Sequence, residues 1–75
     1  MSLNDSFAAV LKKLRTQKAL SQEELAFKAN LHRTYISQLE RGLKSPTLNT
    51  LSNLSDVLGI SLAQFVKSIQ DEMEE

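Results

Sequence analysis

The stretch LSQEELAFKANLHRTYISQLERG, residues 20–42, decides the reading of this chain. Ser21, with Glu24 three residues later, forms a capping box. The hydroxyl accepts the amide of residue 24, and the carboxylate reaches back to the amide of residue 21. Leu20 and Leu25 flank the box as an apolar staple. The helix that starts there is short and stops near Ala29 and Asn30, because Asn tolerates the left-handed backbone of a tight turn. Beyond Leu31, with His32 or Asn30 near the cap, a second helix runs from Arg33 to Arg41, and Gly42 ends it. Ile36 and Leu39 are its inward residues. Ala26 is small where the first helix of the pair has to pass close to the second. Two short helices joined by a turn of three or four residues make a helix-turn-helix.

The outward face of the second helix is the informative one. An idle surface would be rich in Glu and Lys. Here Arg33, Thr34, Tyr35, Ser37, Gln38 and Arg41 offer donors, acceptors and a methyl group. These are the side-chain types that read base edges in a major groove: Arg on guanine, Gln on adenine, the Thr methyl on thymine. Arg33 stands at a helix start, where the dipole disfavours a cation, so its placement asks for an external anion or base.

Outward from this motif, apolar residues recur at three and four, and no segment alternates with period two for long. The expected fold is all-α: a five-helix DNA-binding domain with a helix-turn-helix, occupying residues 1–75, with the motif at about 21–42. Its first helix runs from about Asp5 to Gln17, buries Phe7, Val10, Leu11 and Leu14, and is capped by Asn4, Asp5 or Ser6. Thr47, after Pro46, caps a fourth helix carrying Leu48, Leu51, Leu54, Val57 and Leu58, and Gly59 stops it. Ser61 caps a fifth, with Leu62, Phe65, Val66 and Ile69 at helical spacing. An acidic tail from about Gln70 to Glu75 is expected to fray.

Charge is divided along the chain. The total is zero, with nine Lys plus Arg against nine Asp plus Glu. Between Lys12 and Lys44, eight bases face only Glu23, Glu24 and Glu40, an excess of +5. Six acids lie outside that stretch, so a basic middle suited to phosphates adjoins an acidic end.

Composition narrows the function classes. Apolar residues make up 41% of the 75, enough for one small globule. With no Cys and one His, neither a disulfide framework nor a metal site is expected. No Gly-rich phosphate loop is present, and Glu23 and Glu24 point in different directions from one helix start, so the expectation is a non-enzyme with no cofactor. No apolar run approaches the ~18 residues of a membrane span. Met1 to Asp5 lacks the features of a signal peptide, which makes the cytoplasm, at the nucleoid, the expected compartment.

Three blocks together carry a resemblance: residues 20–26 (LSQEELA), 35–42 (YISQLERG) and 46–51 (PTLNTL). In these the chain resembles the Cro/repressor (XRE-type) helix-turn-helix family over roughly Phe7 to Phe65. Residues 33–37 (RTYIS) and the short length further resemble controller proteins of restriction–modification systems. The resemblance implies that Arg33, Thr34 and Ser37 face bases, with Gln38 at the edge. It implies that Gln22 holds a phosphate, and that Tyr35, Arg41, Lys44, Ser45 and Asn49 touch the backbone or groove margin. It also implies a salt bridge between Arg15 and Glu40, and a dimer through the fourth and fifth helices. Asn30 stands where the family usually has Gly.

A unit reading a few base pairs gains affinity by pairing on half-sites about one helical turn apart. The expected partners are therefore double-stranded DNA, a second copy through Leu62, Phe65, Val66 and Ile69, and RNA polymerase, which the bound protein occludes or recruits. An antitoxin-like or adaptor module working through its apolar last helix is the competing reading.

Overall fold

Short polar residues precede the apolar runs of this chain, and four of them start helices. In the computed structural model, which describes residues 2–74, the helices are α1 (Leu3–Gln17), α2 (Gln22–Ala29), α3 (Arg33–Glu40), α4 (Leu48–Leu58) and α5 (Leu62–Met73). Ser2, Ser21, Thr47 and Ser61 each accept, through the side chain, the amide three residues on, at 3.0–3.1 Å. Each such cap is worth ~1 kcal/mol. Ser21 belongs to a complete capping box, since its own amide donates to Glu24 Oε1 at 2.9 Å. That bond and the hydroxyl contact hold the Glu24 carboxyl below its ordinary pKa. The cap is therefore intact above the usual Glu range and weakens as pH falls through the lowered value.

Helices α1 to α4 end by one recurring device. Ala19, Asn30, Gly42 and Gly59 all take positive φ, between 56° and 74°. The next amide then returns to a carbonyl five residues earlier: Leu20 to Arg15, Leu31 to Ala26, Leu43 to Gln38 and Ile60 to Ser55, at 2.8–3.2 Å. This is the Schellman closure, which satisfies carbonyls that the helix leaves unpaired. At Gly42 the φ of +72° is what favours glycine; a Cβ there would lie 2.5 Å from Asp5 Oδ1, but that oxygen ends an exposed side chain that can turn away.

Three boundaries differ from the sequence expectation, the smallest being α3, which ends at Glu40 with Arg41 as its cap rather than running to Arg41. Helix α1 begins at Leu3 with Ser2 as its cap, one turn's reach ahead of Asn4, Asp5 and Ser6. Ser6 is instead fully buried. Helix α5 does not fray at Gln70 but continues through Met73. One-turn pairs support it: Lys67 Nζ lies 3.2 Å from Asp71, and Gln70 donates to Glu74 Oε2 at 2.9 Å. Glu75, the last residue of the expected tail, lies outside the described residues.

The core takes one or more apolar residues from every helix. Phe7, Leu11, Leu25, Ile36, Leu39, Leu54, Leu58 and Phe65 are fully or almost fully buried. Each contributes about 1.5–3 kcal/mol by leaving water. The rings of Phe7 and Phe65 stack at a centroid distance of 5.8 Å and join α1 to α5. Helix α4 supports the motif from behind, where Asn53 Nδ2 donates to the Ala29 carbonyl at 2.6 Å. Leu48 does not join the apolar stripe of α4; it is exposed at that helix's first position.

Ala19 is the one closure residue without the excuse of Gly or Asn. An L-residue with a Cβ pays for left-handed backbone in steric strain. Ala19→Gly is expected to raise stability by about 0.5–1 kcal/mol, the relieved strain less glycine's extra chain entropy. A urea midpoint that falls or does not move would contradict this account.

Candidate nucleic-acid interface

Ile36 and Leu39, both buried, fix the rotation of α3 about its axis. The opposite face must then look outward. It lines a groove of about 370 Å³ formed by Gln22 of α2, Arg33, Thr34, Ser37 and Gln38 of α3, and Arg41 and Leu43 just beyond. All four residues expected to read bases therefore meet on one surface, together with Gln22 and Arg41. The other backbone candidates stand apart. Lys44 and Ser45 are exposed between α3 and α4, and Asn49 is exposed in the first turn of α4. Tyr35 is half-buried and packs against the core, so only part of its ring is open. The Ser45 hydroxyl already donates to Asn4 Oδ1, which ties its segment to α1.

Beneath the groove lies a buried charge. The Glu40 side chain is 3% exposed. Its Oε2 accepts from Arg15 Nε at 2.6 Å, and its Oε1 from Arg15 Nη2 at 3.0 Å. Arg15 Nη1 also donates to the Leu20 carbonyl at 2.7 Å. The hydrogen bonds to Glu40 raise the pKa of Arg15, against the opposing effect of burial. A third donor, Gln22 Nε2, reaches Glu40 Oε1 at 3.1 Å. A carboxylate offers only acceptors, so the amide of Gln22 is forced to turn its nitrogen inward. Its carbonyl oxygen and second N–H are left for the groove.

The start of α3 differs from the other four in its cap: His32 occupies the cap position but makes no side-chain cap hydrogen bond. Its first turn, like those of α4 and α5, holds no acid. The positive end of the helix is thus left without a neutralising side chain, beside Arg33. Glu40 is paired in the interior, so of the three acids in the basic middle only Glu23 and Glu24 remain exposed, on α2.

With this geometry in place, comparison with known proteins is decisive. The helix-turn-helix family profile matches residues 11–65. This chain belongs to the XRE-type helix-turn-helix family. It is 42% identical over 55 residues to the control protein C.BamHI of Bacillus amyloliquefaciens, covering 72% of this chain and 68% of that one. It is 42% identical over 67 residues to the control protein C.MunI of a Mycoplasma species, covering 88% and 90%. The restriction–modification controller protein C.Esp1396I, solved as a tetramer with its natural 35-base-pair operator, superposes with a TM-score of 0.89 at 35% identity, covering 100% and 99%. Solved variants of that controller replace, one at a time, an Arg, a Thr and a Tyr that are consecutive. This chain has one Arg-Thr-Tyr run, at 33–35.

In this XRE-type domain the Arg15–Glu40 pair implied by the resemblance is present. Sequence reasoning missed the third partner, Gln22, the tie between Asn4 and Ser45, and the place of Leu43 in the groove. The first two join residues 18 and 41 positions apart, and nothing periodic marks such pairs. Leu43 gave no usable signal, since an apolar residue after a helix-ending glycine normally folds back onto the last helical turn, and this one does not.

Glu40→Leu would leave the Arg15 guanidinium buried without its counter-ion. The expected cost is about 3 kcal/mol of unfolding free energy, read by urea denaturation. A variant as stable as the parent would show that the pair does not hold the helices together.

Proposed function

We propose that this protein is a sequence-specific DNA-binding transcription regulator of the restriction–modification controller type, acting as a dimer on palindromic half-sites. The observation that carries the reading is the groove itself. Arg33, Thr34, Ser37 and Gln38 converge on one exposed face of a helix whose other face is locked in the core. In this reading α3 enters the major groove, Arg33 takes a guanine edge, Thr34 and Ser37 face neighbouring bases, and Gln38 reads at the margin. Gln22, Arg41, Lys44, Ser45, Asn49 and the exposed part of Tyr35 hold the sugar–phosphate backbone. Relatives named as control proteins, and the likeness to a controller solved on its operator, support the assignment. Bound protein then occludes or recruits RNA polymerase in the cytoplasm, at the nucleoid, and no catalysis is involved.

The dimer face needs a correction. Phe65 and Ile69 are buried in the monomer and cannot meet a second copy without repacking. Leu62 and Val66 of the same stripe are 37% and 46% exposed. They share a face of α5 with Met73, also partly exposed. The proposed interface is this outer half of the stripe. Val66→Glu is expected to yield folded monomers by analytical ultracentrifugation, because the site lies outside the core. A sedimenting dimer would reject the interface.

Selection of bound sequences from a random DNA pool at near-physiological salt tests the main reading. A pseudo-palindrome is the expected product. Arg33→Ala should then weaken specific binding by about 1–3 kcal/mol and relax one base position in each half-site. Equal loss on specific and random duplexes would refute base reading by Arg33. A folded dimer that selects no motif would favour the antitoxin-like or adaptor module instead.

A further inference from the structure

The four Schellman closures place four apolar residues in equivalent positions: Leu20, Leu31, Leu43 and Ile60. In this motif the residue after the left-handed one normally folds back onto the last helical turn. Leu20, Leu31 and Ile60 do so and pack against the core. Leu43 does not. It is 58% exposed and lines the groove alongside Arg33, Thr34, Ser37, Gln38 and Arg41. The Gly42 and Leu43 amides donate to the Leu39 and Gln38 carbonyls at 3.2 and 3.0 Å, so the backbone that carries this side chain is fixed. The result is one aliphatic side chain at the edge of a surface otherwise made of hydrogen-bonding groups.

We propose that Leu43 is a specificity-determining residue that reads the C5-methyl group of a thymine at the margin of each half-site. This rests on the reading of α3 as the base-reading helix and deepens it. Among the base edges exposed in a major groove, the thymine methyl is the apolar feature, and it is matched by aliphatic contact rather than by hydrogen bonds. A sugar or phosphate contact would tolerate Leu43 but would not distinguish one base from another.

The test uses the selected operator with thymines replaced one at a time by deoxyuridine, which removes the methyl group and leaves every hydrogen-bonding atom. Wild-type protein should bind one such duplex per half-site about three- to fourfold more weakly, the effect of one buried methyl group. Leu43→Ala should bind the thymine and deoxyuridine forms of that position equally, while keeping the base preference that depends on Arg33. The exposed site makes the variant's fold easy to confirm by its unchanged urea midpoint. The proposal is overturned if wild type shows no deoxyuridine penalty at any position, or if Leu43→Ala keeps the same penalty. Failure of the broader reading looks different: no motif is selected, or Arg33→Ala loses affinity equally on all duplexes, and both outcomes overturn this inference as well.

Discussion

Glu40 sits on the inner side of α3, and its carboxylate gathers donors from α1 and α2. An ion this deeply covered destabilises a fold unless its lone pairs are met. Arg15 meets two of them with a planar fork and spends its remaining terminal nitrogen on the Leu20 carbonyl, just before α2 begins. A lysine ammonium, a compact point charge, could not bridge these acceptors in one plane. The mutual orientation of α1, α2 and α3 is thereby set by one charged group rather than by apolar contact alone. Ile36 and Leu39 turn the inner face of α3 into the core, and the paired hydrogen bonds add direction to that packing, because rotation would also expose an unmatched lone pair.

The same carboxylate reaches the outer surface through Gln22. Its fixed amide forms one wall of the groove, with Arg33 beside it. Interior and surface are therefore one polar network, and the rigidity that the interior needs is passed to the residues that face a ligand. Preorganised donors and acceptors lose less entropy on binding than free side chains do. This matters in a chain of 75 residues, whose small core leaves little free energy to order a surface afterwards.

Most of the fold was legible because its signals are local. A capping box, a Ser or Thr before an apolar run and a Gly at a helix end act within a few residues, so Ser21, Thr47, Ser61, Gly42 and Gly59 marked their boundaries correctly. Ala19 gave no such signal, because nothing in its side chain favours positive φ; the closure is imposed by the return of the Leu20 amide to Arg15. Periodicity found the stripe of α5 but could not divide it. A helix face of ~100° is wide enough to serve a core on one edge and a second surface on the other, and only packing shows that Phe65 and Ile69 fall on the inner edge. The site was legible as residue types on one helix face. Its depth was not, since the pairing of Gln22 with Glu40 crosses the motif and leaves no repeat to read.

Charge then bears on how such a surface can discriminate. Affinity without sequence preference comes from neutralised phosphates and grows with the number of cations that reach them. Arg33, Arg41 and Lys44 are the exposed cations on or beside the groove, and the chain as a whole carries no net charge. Indiscriminate attraction to a polyanion is correspondingly small for one protomer. In the proposed reading, discrimination comes from hydrogen bonds and apolar contacts to base edges, multiplied by pairing of two protomers on one duplex. Glu40 is used inside to orient α3, and short polar side chains rather than lysines face outward from it, an arrangement that on the proposed reading favours selectivity over general affinity.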